Sequence, residues 1–442
     1  VYENATVITI LIFSLTIFFM LWKPRGLNET VPTSIGAMML LVIGIVPYHD
    51  ILDIFNMVSG ASFTILSTIV MTIILDSVGF FQWVAVNIIK KVNGSGRRLF
   101  FYIATLCFLA TMFFNNDGSI LITTPIIIRI VTLLNLKPHE KIPYLITGAL
   151  VATSASAPIA VSNIANLIAL KIVNLDLNSY VILMFVPSMI GIITLVSLLF
   201  FYFKNDIPVA IKTGYYQGGS SHPLSKDFTE IDWHMFVTCI VLVVGIRSSY
   251  FILTPLGISL EVISIGGAII LILLRYFRFG KGIKDIITKT PWHILLFAFS
   301  MYVIVFALKN VGLTEYLINL IQPLVVANDF NAILTMGTVL TILSNVVNNL
   351  PSVMIGTLTL TEMGLDINTL QVSYLATILG SDIGALLTPI GTLATLIWMY
   401  ILRESNINVS WIQYFKVTIM VIPVTLIVSL VSLFLWTSWI PY

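Results

Sequence analysis

Long apolar blocks separated by short polar connections fill this chain. They fall at about 5–22, 31–47, 62–82, 99–134, 141–173 and 180–203, then at about 234–253, 258–279, 292–312, 331–362, 372–403 and 413–437. A hydrocarbon core of about 30 Å is crossed by about 20 helical residues, so the pattern predicts a bundle of membrane-crossing helices. The stretch 204–233 differs. It carries Gly218–Gly219–Ser220–Ser221 and mixed charges, and it reads as a flexible linker. Six blocks precede it and six follow, which predicts two halves, 1–203 and 234–442.

Two blocks are too long to be single spans. Residues 99–134 as one straight helix would reach about 54 Å at 1.5 Å per residue. This block is interrupted by Asn115–Asn116–Asp117–Gly118, and its counterpart 331–362 by Asn348–Asn349–Leu350–Pro351. Unsatisfied polar groups in hydrocarbon cost roughly several kcal/mol each, so such backbone survives only inside protein or along a wet cavity. Each block is therefore expected to double back as a hairpin with its asparagines at the tip.

The next block of each half also breaks. The first contains Thr153 to Asn166 with Pro158, Ser162 and Asn163; the second contains Gly380 to Thr392 with Asp382, Gly384, Thr388 and Pro389. Proline removes a backbone donor, and the half-helices that result present open N–H groups. Matching positions recur at a nearly constant spacing: Asn115–Asn116 with Asn348–Asn349, Asp76–Ser77–Val78–Gly79 with Lys309–Asn310–Val311–Gly312, Gly148 with Gly380, and Pro158–Ile159 with Pro389–Ile390. Internal repeats of this kind build transporters.

Charge placement decides the expected topology. If both hairpins re-enter, all of the 22 Lys and Arg except Lys171, Arg247 and Lys309 fall on one side. If they cross, the basic residues divide almost evenly, so the positive-inside bias favours hairpins. Each half then crosses five times. Five is odd, so the second half is inverted relative to the first. The linker is expected in the cytoplasm, both termini outside, and the two tips are expected to meet near mid-depth.

Composition narrows the class. The chain of 442 residues is 58% apolar and 10% charged, with a mean hydropathy of +1.02 and a net charge of +2. It is read as an all-α polytopic membrane protein in a cell membrane, with no nucleic-acid partner. The first block ends at Lys23–Pro24–Arg25 without a small-residue cleavage site and reads as a retained span. Cys107 and Cys239 lie in apolar runs and read as buried thiols. No HExxH or Cys/His metal spacing occurs, so no metal or other cofactor is expected. No GxxxxGK[ST] phosphate loop occurs either. Transport would then run on a gradient or on a separate cytoplasmic ATPase subunit.

The chemistry is expected at the breaks. Asn115, Asn116, Ser162, Asn163, Asn348, Asn349, Thr388 and Thr392 offer donors and acceptors to a small polar solute. Asp117 and Asp382 are intramembrane carboxylates, a functional signature by default, and are read as proton-coupling groups. Capping of a half-helix is the plainer role for either. Asp76 and Lys309 are expected near span ends. An intramembrane hydrolase using Asp76 and Asp382 is the competing class, but the residues before Asp382 read Leu379-Gly380-Ser381, not a GxGD motif.

The runs Asn116–Asp117–Gly118, Thr124–Pro125–Ile126–Ile127, Val161–Ser162–Asn163, Asn348–Asn349–Leu350–Pro351–Ser352–Val353 and Thr388–Pro389–Ile390–Gly391–Thr392–Leu393–Ala394–Thr395–Leu396 resemble the bacterial arsenite efflux carrier family (ArsB). Pro291–Trp292 and Gly312–Leu313–Thr314–Glu315–Tyr316 fit as well. The resemblance spans nearly the whole chain. It implies an ion-transporter-superfamily fold, with a transport domain moving elevator-fashion against a scaffold in a homodimer. It also implies export of arsenite or antimonite against entering protons. Sodium/proton antiport and anion transport belong to the same superfamily. Two positions depart from the family pattern: Thr153 stands where it has Asp, and Ala385–Leu386 where it has Pro-Lys. Arsenous acid is a neutral trihydroxide, which amides and hydroxyls can hold. Thiolate capture would need about three converging cysteines, and the chain has two.

Overall fold

The computed structural model describes residues 2–22, 28–211, 232–280 and 282–440. The described residues are helical and irregular, without strands, and 11 of the helices are long and apolar enough to cross a membrane. The protein is thus a polytopic helical membrane protein. In the first half the helices are α1 (Tyr2–Trp22), α2 (Thr30–Ile43), α3 (Tyr48–Ser77), α4 (Phe80–Val92), α5 (Gly96–Phe113), α6 (Asn116–Leu133), α7 (Pro138–Ser154), α8 (Ile164–Ile172) and α9 (Leu177–Phe203). In the second they are α10 (Trp233–Leu253), α11 (Leu260–Phe279), the short α12 (Lys284–Lys289), α13 (His293–Asn310), α14 (Leu313–Val325), α15 (Asp329–Val347), α16 (Asn349–Glu362), α17 (Ile367–Asp382), α18 (Leu393–Glu404) and α19 (Trp411–Trp439).

The two halves place like elements at like intervals. Helices α4, α5 and α6 begin at 80, 96 and 116, and α14, α15 and α16 at 313, 329 and 349, each 233 positions later. Caps follow suit. Ser95 and Asn328 accept from the first turns of α5 and α15, Asp176 and Ser410 from those of α9 and α19, and Asn163 and Thr392 from those of α8 and α18. Each such cap satisfies one of the four orphan N–H groups of a helix start. Gly79 and Gly312, entering α4 and α14, share left-handed φ values of 84° and 90°. That conformation suits glycine.

Contacts fix the course of the breaks. The Tyr144 hydroxyl donates to the Gly96 carbonyl at 3.2 Å and the Thr111 hydroxyl to that of Ala152 at 2.7 Å, so α5 and α7 run side by side in the same direction. Helix α7 starts where α6 ends, so α5 and α6 form a hairpin whose arms share one end of the molecule. The second half repeats this. Thr369 at the start of α17 meets Asp329 at the start of α15, and Thr341 and Asn345 farther along meet the carbonyls of Gly380 and Gly384. Helices α9 and α19 lie antiparallel: the Trp436 indole donates to the Ile182 carbonyl at 2.8 Å, while Gly191 abuts Ser429.

Three features differ from the hydropathy reading. Helix α3 begins at Tyr48 rather than near 62, because its first turns carry polar residues such as Asp50, Asp53 and Asn56. Helices α4 and α14 fall largely outside the blocks that hydropathy marks. Helix α4 buries Phe81, Ala85, Ile88, Ile89 and Val92, a one-sided stripe at helical spacing that average hydropathy hides. Lys204–Ile211, read as the start of a linker, packs down, with Ile207 and Ile211 buried and the Ile211 N–H bonded to the Gly94 carbonyl. The rest of that linker, 212–231, lies outside the described residues. Lys309 stands near the end of α13, as expected, and its Nζ pairs with Glu362 at 2.7 Å. Outside the spans, the Thr369 backbone N–H donates to Asp366, the cap of α17, and holds its carboxyl below the usual carboxylate range.

Candidate functional site

Four helix starts converge. Asn116 opens α6, Ile164 opens α8 after its cap Asn163, Asn349 opens α16 and Leu393 opens α18. All four line one cavity of about 660 Å³, together with Asp117, Gly118 and Leu350. Ile69 of α3 and Phe297 and Ala298 of α13 form an apolar wall. Asn28, Glu29, His293, Arg403 and Trp411 stand toward the chain connections and form a polar mouth. Helix starts carry partial positive charge and unpaired N–H groups, so the deep end favours oxygen-rich or anionic groups without a Lys or Arg in it.

The expected site residues divide into those that face this cavity and those that hold it together. Asn116, Asp117, Asn163 and Asn349 line it. The Asn116 Oδ1 accepts from the Asp117 backbone N–H at 2.8 Å. Asn115 is buried behind the tip, its Oδ1 unbonded and in the place a Cβ on residue 118 would take, which only glycine leaves free. Ser162 is buried with its hydroxyl unbonded. Asn348 donates to the Ile390 carbonyl at 3.0 Å. Thr388 is tied to Asn345, its N–H and hydroxyl both donating to Oδ1 at 2.8 and 2.9 Å. The Thr392 hydroxyl caps α18 at the Thr395 N–H.

Asp382 does not line the cavity. It is fully buried one shell behind, where three donors of the first half close on it: the Ser156 hydroxyl at 2.7 Å, Asn163 Nδ2 at 2.9 Å and Asn166 Nδ2 at 2.6 Å. Asn163 therefore touches both the cavity and Asp382. Tyr374 backs the arrangement by donating to the Asn166 carbonyl at 2.9 Å. Asp76 is elsewhere, near the end of α3 with Lys289 as its charged neighbour, so it does not serve Asp382 as an acid partner. The sequence reading gives no site role to Ser156, Asn166, Asn345 or Arg247. Asn345 sits one turn before the second tip and Arg247 is a lone charge in an apolar block, and both were available as signals. Among the described residues no three His, Cys, Asp or Glu side chains form a group able to hold a metal.

The ArsB family model, described as "Arsenical pump membrane protein", matches residues 8–437. A Bacillus subtilis (strain 168) protein, provisionally named as an arsenical pump membrane protein, is 44% identical over 441 residues, covering 97% of this chain and 99% of its own. An Escherichia coli protein named arsenical pump membrane protein is 31% identical over 427 residues, covering 97% of this chain and 98% of its own.

Proposed function

Because the chain belongs to the ArsB family of arsenical pump membrane proteins, we propose that it exports arsenite or antimonite as the neutral hydroxide, coupled to proton entry. The observation that carries this reading is the shared cavity, where Asn116, Asp117, Asn163 and Asn349 meet four helix starts. Arsenous acid offers three hydroxyls, each both donor and acceptor. Amide side chains and open backbone N–H groups match all three without a fixed cation. The lack of Lys and Arg in the deep wall disfavours a multiply charged anion.

The coupling scheme follows from the two carboxylates. Asp117 faces the solute directly. Asp382 is joined to the cavity through Asn163. A proton arriving on Oδ1 of Asp382 displaces the donor Asn163 Nδ2, while Ser156 and Asn166 keep Oδ2, and so loosens the side chain that also faces solute. Proton entry and solute release are thereby linked through one amide. The mouth carries Arg403 and adjoins the connections on the side richer in basic residues, which supports a form open to the cytoplasm and ready to load. The repeated hairpins and the antiparallel α9 and α19 support two inverted repeats, with the pocket at their junction.

Everted vesicles test the function. With an imposed proton gradient and no ATP, labelled arsenite should accumulate, and an uncoupler should abolish the uptake. Sodium-dependent proton flux without arsenite uptake would reject the reading in favour of an antiporter. A strict need for ATP and an added soluble fraction would replace the gradient with an ATPase subunit. Asp117→Asn should abolish coupled flux while the protein still inserts and folds. Proton-driven uptake at the unmodified rate in that variant would remove Asp117 from the scheme.

A further inference from the structure

Arg247 is the lone Asp, Glu, Lys or Arg in α10, and it is 8% exposed. It does not line the solute cavity. Its Nε donates to the Phe113 carbonyl at 2.6 Å, and its Nη2 donates to the Phe114 carbonyl. Its guanidinium carbon lies 5.4 Å from the centroid of the Tyr250 ring. Among the described residues no carboxylate pairs with it.

Those two carbonyls close α5 at the first tip. Phe114 has φ −117° and ψ −105°, where the chain turns back, and the ladder resumes only with the Ser119 N–H on the Asn115 carbonyl. The last carbonyls of a helix lack intrahelical partners. At a wet surface they would bond water. Here the space beside them is an apolar cavity of about 350 Å³, lined by Phe81, Tyr102, Leu106, Phe113 and Phe114 among others. A charged side chain inside a span is costly and marks function unless local pairing explains it. At the second tip the side-chain bonds run outward instead: Asn348 and Asn345 donate to the Ile390 and Gly384 carbonyls of the broken segment that follows α17.

We propose that Arg247 is a positioning residue of the transport site: it fixes the reversal at Phe113–Phe114 against α10 and so aims Asn116 and Asp117 into the solute cavity. The planar guanidinium suits this, because its two parallel donors set the relative orientation of two successive carbonyls, which a point charge cannot do. The bond joins the first hairpin to a helix of the other half. The polar contents of the cavity thus depend on a side chain that never touches solute.

The solute-dependent part of the test rests on the arsenite-export reading, so it is paired with a measurement that needs no solute. In everted vesicles, Arg247→Gln should raise the KM for arsenite about tenfold while the maximal rate stays within about twofold. Arg247→Lys, able to reach one carbonyl, should recover most of that loss. By hydrogen–deuterium exchange on the purified protein, amides of residues 114–119 should exchange at least about tenfold faster in Arg247→Gln, with those of α13 unchanged. An unmoved KM in a transporting variant overturns the proposal, as does unchanged exchange at the tip. Absence of arsenite uptake by the unmodified protein would count against the export reading alone, and the exchange result would still decide for or against Arg247. If both variants failed to insert and fold, Arg247 would belong to the fold alone and the proposal would fall.

Discussion

Asp117 and Asp382 differ in what surrounds them. Asp117 borders open space, whereas Asp382 has three donors on its two oxygens and none of its surface in the cavity. Asp382→Asn keeps the shape but turns one of the two acceptor oxygens into a donor, facing either Asn163 or the Ser156–Asn166 pair. The expected result is a folded protein whose arsenite uptake no longer depends on the pH gradient, read as equal initial rates with and without uncoupler. Gradient-driven uptake at the unmodified level would place coupling elsewhere. At the second tip, Asn348 takes φ 82° and ψ 157°, a region essentially reserved for glycine. Its amide bond to Ile390 offsets that strain. Asn348→Gly should relieve the strain while losing the bond and change stability by less than about 1 kcal/mol. Asn348→Ala loses the bond and keeps the strain, and should cost about 1–3 kcal/mol. Thermal unfolding of the detergent-solubilised variants would separate the two.

Helix pairs around the breaks approach through glycine. A Cβ on Gly380 would meet the Gly337 carbonyl and sit 3.0 Å from the Leu340 Cβ, and one on Gly384 would meet the Thr341 hydroxyl. This close approach lets Thr341 and Asn345 of α15 reach the carbonyls at the end of α17, which holds the broken segment in place. Gly384→Val should therefore push α17 off α15 and cost about 1–3 kcal/mol or more. Gly266 in α11 has nothing within 4 Å of an added Cβ, so Gly266→Ala should be neutral or raise the melting temperature. Equal losses in both would mean that glycine is not acting through helix approach. Element positions were largely legible from sequence, because a polar or proline-bearing interruption in a long apolar block has no other stable place. Helices α4 and α14 were not, since their one-sided stripes average out over a hydropathy window.

The halves meet along α9 and α19, where Gly191 abuts Ser429 and Trp436 reaches Ile182. Cysteines at 191 and 429 should cross-link under mild oxidation, while a pair at 191 and 419 should not, because an antiparallel pairing fixes one register. The native Cys107 and Cys239 are both buried and should not compete. Cross-linking of the second pair in preference to the first would overturn the antiparallel arrangement and, with it, the support for inverted repeats. The same architecture explains why one cavity draws on both halves. Each half supplies one hairpin tip and one broken helix, and neither half alone encloses the space.

The order of apolar blocks, the places where they break and the asparagines and aspartates at those breaks were all determined by the sequence. Local rules suffice for them, since hydrocarbon tolerates an interrupted ladder only where protein or water replaces the lost bonds. Which polar groups face solute and which bind one another was decided by the tertiary structure. Asp117 and Asp382 look equivalent along the chain, yet the partners of Asp382 lie 216, 219 and 226 residues away. Thr388 looks like a ligand and is engaged by Asn345 instead. A helix apolar on every side carries no mark of its rotation about its own axis, so packing against distant neighbours alone sets where its few polar atoms point.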